Sequence, residues 1–117
     1  MHNFRELVAW QKARLLVKSV YVLTFQFTSD EKYGMSSLLR RAVVSIASNI
    51  AEGAGRMSGQ DFARFIDIAN GSAFEVECQL ILCGDLGLIS GGEVDKHVEK
   101  VKEVQRLLFG LKRKLLA

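Results

Sequence analysis

Not one of the 117 residues is proline, and apolar residues recur in steps of three and four over stretches of twenty or more. Proline ends helices by removing an amide donor and crowding the preceding turn. A chain that never uses it, and keeps a 3.6-residue rhythm, is constrained to long, uninterrupted helices. Glycines and capping residues must then supply the punctuation.

Four segments emerge. The first spans about residues 5–27, with Leu7, Trp10, Ala13, Val17, Val20 and Leu23 as its apolar row and Gln11, Arg14 and Lys18 as a solvated stripe. Thr28 and Glu31 have capping-box spacing and open a second helix that runs to about Glu52. Its row is Met35, Leu39, Ala42, Ile46 and Ile50, and Gly53 and Gly55 are expected to stop it through a left-handed residue. Ser58 and Asp61 open a third helix, about residues 61–86, with Phe62, Phe65, Ile66, Ala69, Ala73, Val76, Leu80 and Cys83 on one face. Phe74, Cys78 and Ile81 form a second apolar row on another face, so this helix has two surfaces to cover. After Gly84, Gly87 and Gly91, Ser90 and Glu93 cap a fourth helix, about residues 92–116, lined by Val94, Val98, Val101, Val104, Leu108, Leu111 and Leu115.

Short connections make consecutive helices antiparallel neighbours. The expected fold is one all-α domain over residues 1–117, an up-down four-helix bundle, with a helix swapped between copies as the alternative. The surplus apolar row predicts self-association.

The charges exclude some functions and permit others. Net charge is +3, distributed as +4 over residues 1–60, −4 over 61–92 and +3 over 93–117. That pattern permits nucleic-acid contact without requiring it. No apolar run approaches the ~20 residues of a membrane span, and no basic-then-apolar leader is visible, so the expected location is the cytoplasm. Cys78 and Cys83 lie far apart around one helix and are expected to be reduced core thiols. His2 and His97 are isolated in sequence, and no metal set, nucleophile–base pair or phosphate loop can be assembled. The expectation is a non-enzyme with no cofactor and no small-molecule substrate.

The segment Arg40–Arg56, RRAVVSIASNIAEGAGR, is dense in small residues and bounded by arginine. Guanidinium groups suit bidentate contact with carboxylate or phosphate, so Arg40, Arg41 and Arg56 are expected to make ion pairs within the bundle or across a subunit interface, with RNA contact as the alternative. Adjacent arginines point about 100° apart, so at most one of Arg40 and Arg41 faces inward. Asn49 and Glu52 share neighbouring surface, and Glu52 sits where the helix dipole disfavours an anion and needs a cation beside it. Gly71 and Ser72 interrupt the third helix at a cost of about 1 kcal/mol. The expected return is close helix approach, with Ser72 bonding back to its own preceding turn. Lys112, Arg113 and Lys114, with Arg106 upstream, complement a helix C-terminus or form a basic rim. Trp10, Tyr21 and Tyr33 can stack on bases but fit packing better.

Phe4-Arg5-Glu6-Leu7 with Trp10-Gln11-Lys12-Ala13, then Arg40-Arg41-Ala42, Ser45-Ile46, Asn49-Ile50-Ala51-Glu52-Gly53 and Arg56, then Phe65, Ile68-Ala69, Gly71-Ser72, Glu75 and Glu77 resemble, over residues 4–88, the bacterial four-helix family associated with 23S rRNA intervening sequences. The chain departs from that pattern at Thr28 and Ala47, where the family tends to proline, and at Leu38, where it tends to glutamine. The resemblance implies a ring-like homopentamer. It is also similar to accessory proteins of diversity-generating retroelements, which implies contact with nucleic acid or a nucleic-acid enzyme. Two readings follow: a self-assembling scaffold whose basic surfaces contact structured RNA or a nucleic-acid enzyme, or an oligomerisation module that docks a protein partner and no nucleic acid.

Overall fold

Capping chemistry sets where the helices begin. Ser58 and Ser90 sit in extended conformation, and their hydroxyls accept the amide N–H of Asp61 and Glu93, each at 3.1 Å. Each thereby satisfies a donor that has no partner within its helix. The computed structural model describes residues 1–28, 30 and 34–117. It contains a 3-10 turn, Phe4–Glu6, and four helices: α1 (Val8–Thr24), α2 (Met35–Ala54), α3 (Gly59–Asp85) and α4 (Gly91–Leu115). The fold class expected from the apolar rhythm is the fold observed.

Three boundaries differ from expectation. Leu7 is extended (φ −76°, ψ 124°), which separates the Arg5–Glu6 stretch from α1, and Asn3 Oδ1 caps that short turn by accepting the Arg5 amide at 3.1 Å. α1 ends at Thr24 rather than near Phe27. α2 begins at Met35, with Gly34 at its N-cap and no side-chain cap, and not at Thr28 as expected; Glu31, the other half of the expected capping pair, and Tyr33 lie outside the described residues.

α2 packs against α1 and α3, and α4 packs against α1 and α3. Among the described residues the diagonal pairs, α1 with α3 and α2 with α4, make no contact. This is the square of an up-down bundle, 44 Å long and about 20 Å across (22 × 19 Å). Its core is one cluster in which Leu16, Leu39, Ile46, Ile50, Phe62, Ile66, Leu80 and Leu108 are fully enclosed. The rows expected on α2 and α3 point into it. On α1 the buried row also takes Ala9, Leu16 and Thr24.

α2 stops at Gly55 as expected, but not through the expected conformation, and Gly53 does not stop it. Gly55 has φ −80°, so α2 ends without a left-handed residue, and Gly87 (φ 76°) is the described residue that adopts one. Gly53 is buried in the last turn of α2. A Cβ there would stand 2.7 Å from Phe65 Cβ and 2.8 Å from Phe62 Cδ1. Its role is to let α2 and α3 approach.

One polar tie runs through the α1–α4 seam. His97 is buried, with Nδ1 2.9 Å from the Glu93 carbonyl oxygen. Because that oxygen can only accept, Nδ1 is the donor, and in the neutral ring Nε2 takes the hydroxyl proton of Ser19 at 3.0 Å. Lys100 Nζ donates to the same Ser19 oxygen at 3.0 Å.

Candidate interaction surface

Antiparallel packing gathers cations at one end of the bundle. The α4 C-terminus meets the α3 N-terminus there, since a Cβ on Gly59 would fall 2.7 Å from the Leu115 carbonyl oxygen. The chain start is at the same end, where the His2 amide donates to the Ala54 carbonyl at 2.8 Å. Arg56, Lys112, Arg113 and Lys114 therefore share this end. Arg40 and Arg41 stand near the opposite end, at the start of α2, and Arg106 lies midway along the α4 surface.

Their partners separate the seven. Arg56 reaches Glu52 Oε1 at 3.3 Å and Asp61 Oδ2 at 3.7 Å, with its guanidinium 4.5 Å from the Phe65 ring centre. Glu52 thus finds its compensating cation one turn away in its own chain. Lys112 donates to Asp67 at 2.8 Å, and Arg106 to Glu99 at 3.0 Å. These pairs are solvent-exposed and each contributes at most about 1 kcal/mol, so a phosphate can replace the carboxylate at little cost. Arg113 lies over Phe109 at 5.9 Å. Among the described residues, Arg41 and Lys114 are exposed and meet no carboxylate.

Arg40 is a structural tie. Its Nε donates to Thr24 Oγ1 at 2.8 Å, and its guanidinium stands 4.5 Å from the Tyr21 ring centre and 4.9 Å from that of Phe25. Thr24 in turn donates to the Val20 carbonyl at 2.8 Å. Trp10 is half-buried, edge-on to Phe4 at 4.9 Å, with Arg14 5.6 Å from its ring centre. Asn49 donates to the Ser45 carbonyl at 2.8 Å. Ser45 and Ser72 hydroxyls meet across α2 and α3 at 2.9 Å. Ser72 therefore bonds across helices, where a bond to its own preceding turn was expected.

The second apolar row of α3 is uncovered. Phe74 is 59% exposed and Ile81 46%, and Cys78 is exposed while Cys83 is buried, so only one thiol belongs to the core. A Cβ on Gly71 would meet nothing within 4 Å among the described residues, so no described helix approaches it closely. Beside this row, between α3 and α4, lies an open groove of about 1110 Å³. Phe74, Phe109 and Leu116 line it, and Gln105 donates to Asn70 across it at 3.1 Å. The groove joins residues that sequence had assigned to different roles: Phe74 to packing, and Arg106, Lys112 and Arg113 to nucleic acid.

Sequence reasoning missed the Ser19–His97–Lys100 tie. A signal was present: Val94, His97, Val101, Val104 and Leu108 keep the alternating three-and-four step, which aims His97 inward.

The architecture defines the class, an all-α up-down four-helix bundle. Among its described residues no His, Cys, Asp or Glu group could hold a metal ion, and no helix is long and apolar enough to cross a membrane. Residues 5–110 match the model of the 23S rRNA-intervening sequence protein family, and the chain belongs to that family. It is also similar to the crystal structure of a protein of unknown function from the S23 ribosomal protein family of Bacteroides thetaiotaomicron. That likeness has a TM-score of 0.82 at 24% identity, covers 90% of this chain and 98% of the other, and speaks to the fold alone. No curated protein matches the chain.

Proposed function

We propose that the protein is a non-enzymatic, self-assembling scaffold that binds structured RNA through the basic end of its bundle. The observation that carries this reading is the convergence of Arg56, Lys112, Arg113 and Lys114 at one end, in a family named for its association with rRNA. A ring of copies, five by family resemblance, repeats that small cationic patch and converts weak contacts into avidity. The location that suits an rRNA partner is the cytoplasm.

Phosphate binding releases counterions, so RNA affinity must fall steeply with salt. The test is a salt titration of binding to a structured RNA hairpin, comparing wild type with Arg113→Glu/Lys114→Glu. The variant is expected to bind more weakly at every salt concentration, with a shallower salt slope, while Arg41→Glu at the far end changes little. No binding at low salt overturns the reading.

A second reading has its own support. Arg56, Arg106 and Lys112 already face carboxylates, and the uncovered apolar surface lies on α3. It makes the protein an oligomerisation module that docks a protein partner and binds no nucleic acid.

A further inference from the structure

α1 and α3, one of the two diagonal pairs that make no contact among the described residues, carry much of the apolar surface that the bundle leaves open. α1 and α3 stand on a diagonal, so their outward faces point in opposite directions. On α1, Val8, Leu15 and Val22 recur every seven residues, which places them along one line of the helix, and all three are exposed. On α3, Phe74 and Ile81 repeat at the same interval with Cys78 between them. Gly71, one turn before Phe74, offers a flat spot with no neighbour in the chain. A mid-helix glycine weakens its helix. Among the described residues, no close contact at Gly71 offsets that loss.

The two helices carry opposite charge. α1 carries Lys12, Arg14 and Lys18 and no carboxylate. Lys12 is engaged with Glu103 at 3.2 Å, but among the described residues Arg14 and Lys18 meet no acid. α3 carries five carboxylates and one arginine. Of these, Glu75, Glu77 and Asp85 meet no cation among the described residues.

We infer that the outward face of α1 in one copy docks on the outward face of α3 in the next. This rests on the self-assembly reading above and specifies its contact. Pairing α3 with α3 would oppose acid to acid, and α1 with α1 base to base, so like-charge repulsion selects the mixed contact. That contact is heterologous. Each copy offers one face of each kind on opposite sides, so association runs head to tail and ends in a closed ring or a filament, never in a two-fold dimer. With neighbouring bundles side by side in a ring, every end bearing Lys114 lies on the same rim.

Charge reversal tests the contact, with light scattering for size and circular dichroism for fold. The variants are Arg14→Glu/Lys18→Glu on α1, Glu75→Lys/Asp85→Lys on α3, and all four substitutions together. Each pair is expected to dissociate the oligomer to the 13.0 kDa chain with native helical content. The fourfold variant, with both signs exchanged, is expected to regain wild-type size. Gly71→Leu, at a position where an added Cβ meets nothing within 4 Å, is expected to stay folded and fail to assemble. An α1 variant of unchanged size, a fourfold variant that stays dissociated, or a two-chain particle indifferent to the α1 substitutions overturns the proposal. A wild-type chain that is itself a monomer removes the self-assembly reading, and this contact with it. An intact oligomer in the α1 variant removes the contact alone.

Discussion

Gly53→Ala adds one methyl group at the tightest point of the α2–α3 seam. The new Cβ would stand 2.7 Å from Phe65 Cβ, where ordinary contact begins at 3.4 Å, so about 0.7 Å of movement is required. Phe65 Cβ is fixed to the α3 backbone and cannot swing away. The Phe62 ring, with Cδ1 at 2.8 Å and Cε1 at 3.2 Å, is 1% exposed and enclosed on every side. Overpacking of this kind costs roughly 1–3 kcal/mol. Helix propensity returns at most about 1 kcal/mol, and less in a last turn. The net expectation is a loss of about 1–2 kcal/mol, several degrees of Tm for a domain of this size. Gly110→Ala is the control, since its Cβ meets nothing within 4 Å and propensity alone should stabilise by about 0.5–1 kcal/mol. Urea denaturation at one fixed protein concentration reads both, because assembly makes stability concentration-dependent. If Gly53→Ala proves as stable as wild type, or shifts in the same direction as Gly110→Ala, the close-approach account of Gly53 is wrong.

Two further substitutions probe buried polar groups. Ser19→Ala removes the hydroxyl that meets both His97 Nε2 and Lys100 Nζ, and leaves the buried imidazole nitrogen unpaired. A loss of about 1–2 kcal/mol is expected in chemical denaturation, and an unchanged midpoint would show that the tie does not stabilise the α1–α4 seam. Gln79 is buried with no partner for Oε1 among the described residues. Gln79→Met keeps the shape and removes the orphaned oxygen, so Tm should rise, by about 1 kcal/mol of stability; a fall would show that the amide is satisfied in solution.

Local patterns carried much of the fold. The capping serines Ser58 and Ser90 announced α3 and α4 because a hydroxyl and the amide three residues on belong to one stretch of chain. The exposed Phe74–Ile81 row was legible because helical geometry turns spacing into direction. Side-chain partnerships between helices were not. Gly53 was read as a helix stop because glycine and chain turning go together in sequence, and its true neighbours, Phe62 and Phe65, are set only when α2 and α3 register. The expected tight packing of Gly71 has no counterpart inside the protomer, for the same reason. Thr24 and Arg40, or Ser19 and His97, meet only once whole helices align.

The amino-acid sequence by itself determined the number, order and apolar faces of the helices, since caps, periodicity and the lack of proline act within a few residues of chain. Tertiary structure alone decided which cations are spent on carboxylates, that Arg56, Lys112, Arg113 and Lys114 share one end, and that the basic α1 and acidic α3 faces look in opposite directions. The reason is physical: charge pairing and close approach depend on distances across the bundle, which no local spacing encodes.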